Sequence, residues 1–306
     1  MISDKIKIGA GYTLICIIWG STWLAIRIGL DSLSPIISGG LRFLFASLFI
    51  FILTKINGIK LQKDPGSIRL YWITGFFSFV VPFGLVYWAE QFIPSGLASI
   101  VFAVMPFGVI LFTWFFLRET KISMNQVTGV VLGFAGIVII FSDSLTFDFS
   151  NYFLGILAVL LSATMQAGIA VLIKKEGQHL HPLSMNLVPL IIAGIVMTVW
   201  GLIFENPSTW NFNIKSVGSI IYLAFFGTVV TFSTYYWLLK RINIVVLSLT
   251  SFITPIVAVM LGWIVLNEKL SFQAIIGSSL VLIGILFANF RQLKKFYYSK
   301  MKNSIA

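Results

Sequence analysis

FFSFVVPFGLVYWAEQFIPSGLASIVFAVMPFGVILFTWFFLRE, residues 76–119, returns 149 positions later as FFGTVVTFSTYYWLLKRINIVVLSLTSFITPIVAVMLGWIVLNE, residues 225–268. The two stretches align without a gap, and 13 of the 44 positions are identical, among them Phe83/Phe232, Tyr87/Tyr236, Ser99/Ser248, Pro106/Pro255 and Glu119/Glu268. Composition alone would give roughly four matches, so the chain carries an internal repeat. A one-residue slip extends it to Gly129/Gly277 and Gly136/Gly284, and an offset of 147 relates Pro35 to Pro182 and Trp19 to Gln166. Within each copy, two apolar runs of about 20 residues flank a short polar joint, and a run of that length crosses a bilayer core.

The rest of the chain continues the pattern. Of its 306 residues 58% are hydrophobic and only 10% charged, with a mean hydropathy of +0.98, too little charge to cover a soluble domain of this size. Apolar windows predict spans at 8–29, 34–54, 70–92, 95–117, 125–141, 152–173, 183–204, 217–239, 244–266 and 272–290. Turn formers such as Asp64-Pro65-Gly66, Pro94-Ser95-Gly96 and Asn206-Pro207-Ser208 punctuate them. Lys5 and Lys7 precede an apolar run that reaches Ile28 without a small-residue cleavage site, so a retained first helix is expected rather than a signal peptide. The net charge of +11 does not point to nucleic acid, because the basic residues sit in short loops between apolar runs. Cys16 is the only cysteine, which excludes an intrachain disulfide and a cysteine metal cluster, and nothing asks for a cofactor.

Counted on alternate sides of ten spans, 17 Lys and Arg fall on one side and 4 on the other. That asymmetry places both termini in the cytoplasm, and a missed span would have scrambled it. The fold class expected is therefore all-α integral membrane, with ten transmembrane helices in two five-helix repeats, 1–145 and 146–306. Five is odd, so the second repeat starts on the opposite side and the halves are inverted. Inverted repeats are a secondary-transporter architecture with the solute site near the midplane between the halves. A channel or receptor explains the inversion less simply. An enzyme fares worse, since the chain has no GxSxG, no HExxH and no pair of acids within a span.

Three features carry a resemblance to a known family: WGSTWLAIRIGLDSLSPIISGGLRF (19–43), WAEQFIPSGLASIVFAVMPF (88–107), and the Glu119 and Glu268 positions. Together they resemble the EamA-type permeases of the drug/metabolite transporter superfamily over essentially the whole chain. The resemblance implies a ten-helix carrier in the bacterial inner membrane that exports amino acids or related small metabolites. Family members often place an aromatic where this chain has Gln166, so this half of a central cavity is expected to be more polar.

Candidate solute contacts follow from position and spacing. Trp19, Trp23 and Arg27 recur at i, i+4 and i+8, a stripe that could take a zwitterion with its carboxylate on Arg27, or could simply pack between helices. Tyr87, Gln166 and Tyr236 sit in matched spans. Thr228, Thr231 and Tyr235 form a polar stripe, and Ser248, Thr250, Ser251 and Thr254 another. Pro106 and Pro255 are expected to break their helices beside the cavity or to act as plain kinks. Arg27, Arg42 and Glu90 are ionisable groups inside spans, expected to pair as a gate or as a lock on helices 1 to 3. Such a pair would hold Glu90 ionised, and Glu90 lies near the outer end of its span, so a facilitator moving solute down its own gradient is expected. Glu119 and Glu268 are read as caps or salt bridges, and His179 and His181 as solvated loop residues. Gly129, Gly133 and Gly136 make a small-residue face on span 5 that serves packing within the chain or across a homodimer. The partners expected are a small-molecule solute and the lipid bilayer.

Overall fold

Without water in a bilayer core each spanning segment must satisfy its own backbone, and helices do so. The computed structural model describes residues 4–117, 124–143, 151–248 and 250–302, and every regular element among them is helical. Among the described residues, eight helical segments are long and apolar enough to cross a membrane. In order they are α1 (Asp4–Leu30), α2 (Pro35–Ile56), α3 (Pro65–Thr74) continued by α4 (Val81–Ala89), and α5 (Ser95–Phe102) with α6 (Met105–Leu117). The second four are α8 (Asn151–Glu176), α9 (Ser184–Phe204), α10 (Ile214–Ala224) continued by α11 (Thr231–Leu239), and α12 (Ile244–Ser248) with α13 (Thr250–Leu266). Two shorter apolar stretches, Val127–Ile140 in α7 (Met124–Asp143) and Phe272–Phe287 in α14 (Phe272–Lys302), occupy the places of expected spans 5 and 10. Large apolar side chains such as Phe115, Phe116, Phe134, Trp200 and Trp263 face outward, as lipid-facing residues do.

Local chemistry fixes several boundaries differently from the apolar windows. The third segment starts at Pro65 rather than near 70, because the Asp64 carboxylate accepts from the Ser67 N–H at 2.9 Å and Pro65 fits the first turn. Arg69 is thereby inside a helix and forms an ion pair with Glu176 at 2.7 Å. Pro106 stands in the first turn of α6, just past the interruption at Ala103–Val104, which is the expected break. Pro255 does not break its helix: it lies inside α13, where a membrane helix tolerates the loss of one donor if its surroundings take up the freed carbonyl. Glu119 and the proposed repeat boundary at 145 lie outside the described residues.

Two π-helical turns were invisible to the windows. They span Gly75–Val80, between α3 and α4, and Phe225–Val230, between α10 and α11. The repeat offset of 149 maps one onto the other to within a residue.

Packing follows the repeat. Helix α1 packs on α10, α11 and α13, while α8, its counterpart at offset 147, packs on α4 and α6. Three further contacts join matched segments directly. On α2 and α9, Gly40 meets Thr198 and Gly194 meets Leu44; on α5 and α13, Ser95 meets Gly262 and Gly96 meets Val259. On α7 and α14, a Cβ added at Gly277 or Gly284 would lie 2.5 Å from the carbonyl oxygen of Gly136 or Gly129. In all three, numbering rises along one helix as it falls along the other, so the matched segments run antiparallel. The glycine face of α7 is occupied by α14 of the same chain, so a homodimer would have to form elsewhere.

Candidate functional site

A cavity lies between residues of the first and second halves of the chain. Its wall comes from both: Trp19, Thr22, Trp23 and Ile26 of α1, Arg42 of α2, Ser78 of the first π-turn, and Phe83 and Val86 of α4, with Phe102 and Met105 beyond. Opposite stand Ser162 and Gln166 of α8, Phe232, Tyr235 and Tyr236 of α11, and Ser248, Thr250, Ser251 and Thr254 of α12 and α13. The aromatics brace one another. Trp19 has ring centroids 5.4 Å from both Phe232 and Tyr235, and Trp23 lies 5.6 Å from Phe102.

Two polar side chains cross from one half to the other, each ending on a π-turn. A π-turn displaces one carbonyl from the α-helical ladder and so leaves an acceptor for an outside donor. Gln166 Nε2 donates to the Ser78 carbonyl at 2.8 Å, and Ser78 Oγ donates back to Gln166 Oε1 at 2.7 Å. Arg42 Nη2 donates to the Gly227 carbonyl at 3.1 Å and Nε to Thr228 Oγ1 at 2.9 Å. Ser78 and Gly227 are the same position of the repeat. The guanidinium carbon also lies 4.9 Å from the Phe83 ring centroid and 5.4 Å from that of Phe43. Gln166 is thus polar as expected, but much of its hydrogen-bonding capacity is spent holding a helix.

The expected ion pair is absent. Glu90 is fully buried, neither carboxylate oxygen has a hydrogen-bond partner, and neither Arg27 nor Arg42 pairs with it. Arg27 instead donates from Nη1 to the Glu90 backbone carbonyl at 2.7 Å, capping the end of α4. Arg27 lies outside the cavity wall, so it is not the carboxylate receiver of the Trp19–Trp23 stripe. Eight residues of helix rise about 12 Å and turn about 80° beyond two full turns, which carries Arg27 past the stripe. Tyr87 is also absent from the wall: it is fully buried beside Arg42 and Ser38. Of the other expected contacts, Trp19, Trp23, Gln166, Tyr235, Tyr236, Ser248 and Thr254 all line the cavity; Pro106 and Pro255 do not, though their neighbours Met105 and Thr254 do. Sequence reasoning missed Ser162 and Phe83. Ser162 is one turn before Gln166 on the same face, and Phe83 is the repeat image of Phe232, so both signals were present.

Each end of the bundle is closed by carboxylates and cations on helix termini. At one end the Glu205 carboxylate accepts from the Ile36 and Ile37 N–H groups at 2.8 Å, and Glu268 accepts from Ser95 and Gly96 N–H at 3.1 and 3.2 Å. Glu268 is therefore a cap, but on the other half rather than in its own hairpin. At the opposite end Lys174 donates to the carbonyls of Leu239 and Ile242, and Lys240 to those of Gln178 and Leu180. His179 is exposed but not merely solvated, since Nε2 lies 3.0 Å from Ser67 Oγ. Partial burial and the neighbouring Lys240 cation push the His181 imidazole below its usual range.

An all-helical bundle with an apolar exterior and a cavity of mixed aromatic and polar lining is a form suited to a multi-span membrane transporter. The model of the EamA-like transporter family matches residues 8–142 and 153–290, and the chain belongs to that family. Its membership makes it a transporter and not an enzyme. Among relatives, Protein PagO of Salmonella typhimurium is 28% identical over 281 residues, covering 92% of each chain. The "Uncharacterized transporter YoaV" of Bacillus subtilis is 28% identical over 287 residues, 93% of this chain and 97% of the relative. The "Uncharacterized inner membrane transporter YedA" of Escherichia coli K12 is 28% identical over 259 residues, 83% and 81%. A solved crystal structure shares the fold with a TM-score of 0.69 at 20% identity, over 95% of this chain and 99% of the other.

Proposed function

We propose that this transporter is an alternating-access carrier in the bacterial inner membrane. Two inverted five-helix halves, 1–145 and 146–306, rock about the central cavity and export amino acids or related small metabolites, with both termini cytoplasmic. The observation that carries the reading is an asymmetry between repeat-equivalent residues. Tyr236 and Ser248 contribute to the cavity wall, whereas their counterparts Tyr87 and Ser99 are buried outside it, the Ser99 hydroxyl without a hydrogen-bond partner. Buried polar groups without partners cost free energy unless another state satisfies them. In two halves of the same construction, exchanging the conformations of the halves would open the Tyr87 and Ser99 side and close the other.

Further support comes from the antiparallel packing of matched segments and from the basic residues Arg69, Lys174, Lys240 and Arg241, which gather at the Tyr236 end and make it the cytoplasmic one under the positive-inside rule. The name of the Escherichia coli relative assigns that protein to the inner membrane. One chain holds the whole cavity, so the reading needs no partner copy. The test is flux through purified protein in liposomes loaded with a mixture of amino acids and small organic acids. Saturable uptake with counterflow is expected; flux that rises linearly with concentration would make it a channel.

A further inference from the structure

Among the described residues Arg42 is the one charged side chain lining the cavity, and no carboxylate lies within 4.0 Å of it. It is 1% exposed and forms no ion pair, and no Asp or Glu contributes to the wall. Glu90, buried outside the wall, makes no contact with it within 4.0 Å. Its Nε and Nη2 are held by Thr228 and Gly227, and Phe43 and Phe83 flank the plane, while Nη1 has no hydrogen-bond partner. The guanidinium is thus oriented by its surroundings before any solute arrives, and Nη1, itself buried, is the donor that a solute would have to reach.

We propose that the cavity selects an organic monoanion, a carboxylate on an apolar or aromatic body without a compensating ammonium, and that Arg42 receives the carboxylate. This rests on the carrier reading and narrows its solute. A buried cation without a partner is costly, and a monoanion brings the loaded cavity to zero net charge. A zwitterion leaves the charge uncompensated and finds no carboxylate in the wall for its ammonium. The body of the solute lies against Trp19, Trp23, Phe102 and Phe232, the apolar share usual for a small-molecule site.

The experiment is equilibrium dialysis of the purified full-length protein against 3-phenylpropanoate, phenylalanine and phenethylamine, which share one body and differ in charge. Binding of 3-phenylpropanoate at least about tenfold tighter than phenylalanine is expected, with phenethylamine weakest, as loss of a charge-assisted contact would give. Arg42→Gln should weaken the acid by about tenfold or more and leave the amine unchanged. Arg42→Lys, which keeps a cation but not the planar fork, should lose less; it also serves if the Gln variant melts below the assay temperature. Phenylalanine bound as tightly as the acid, no binding of the acid, or acid affinity indifferent to both substitutions would overturn the inference. Those outcomes leave the carrier reading standing, because binding and not flux is measured here.

Discussion

Ser78 and Gly227 occupy one position of the repeat, and each offers its carbonyl to a side chain from the opposite half. The chemistry differs: an amide holds one and a guanidinium the other. Replacing Gln166 by Leu strands the Ser78 carbonyl and hydroxyl, so Gln166→Leu should destabilise the protein by about 1–3 kcal/mol, read as a lower melting midpoint in detergent. An unchanged midpoint would mean that the π-turn needs no outside donor. Glu90 behaves in the opposite sense. Its carboxyl group is sealed without a hydrogen-bond partner, so Glu90→Gln breaks no hydrogen bond of the fold, and the midpoint should hold or rise. A fall would reveal a partner for the carboxylate. Trp19, Gln166 and Tyr236 line the cavity, a placement that identity and depth along a helix suffice to suggest. Arg27 and Tyr87 lie off the wall, because the azimuth of Arg27 and the burial of Tyr87 depend on packing that no single helix encodes.

The glycines of α7 and α14 act together as an element. Their backbones approach until no Cβ fits at Gly277 or Gly284, so Gly277→Leu should cost at least about 1–3 kcal/mol through forced separation of the two helices. The same substitution at Gly218, where no atom lies within 4 Å of an added Cβ, is the control and should leave the midpoint nearly unchanged. Helix positions were legible because apolar length and turn residues set them. The π-turns were not, since inserting one residue into a turn alters neither composition nor hydropathy; only Thr228, bonding to Leu223 five residues back, betrays the wider register. In the loop before α9, His181 Nδ1 accepts from the Leu183 N–H, a bond that only the neutral ring can make. Burial, then Lys240, favours that neutral form, so the folded value lies below the ordinary 6.5. The contribution of His181 to stability is then present above pH 6.5 and lost as pH falls through the lowered value. An NMR titration of His181 should show a midpoint below 6.5 that moves up in Lys240→Met; a midpoint at or above 6.5 in the wild type would refute this.

For the whole molecule, the proposed carrier turns on matched residues of the repeat that stand in different surroundings. Ser248 lies in the cavity wall and Ser99 is sealed, although the repeat makes them the same residue. The sequence displayed this pairing as an identity at offset 149, but could not say which member was open, because that belongs to a conformational state and not to a pattern. Chemical access to the two positions measures it. In a Cys16→Ala background, Ser248→Cys and Ser99→Cys are placed singly, and membrane-impermeant thiol reagents are applied to inside-out and right-side-out vesicles. Alternating access predicts that Ser248→Cys reacts from the cytoplasmic face and Ser99→Cys only from the other. Conditions that increase one reactivity should decrease the other in proportion. Reaction of both positions from the same face, or both rising together, would contradict a carrier built from two exchanging halves.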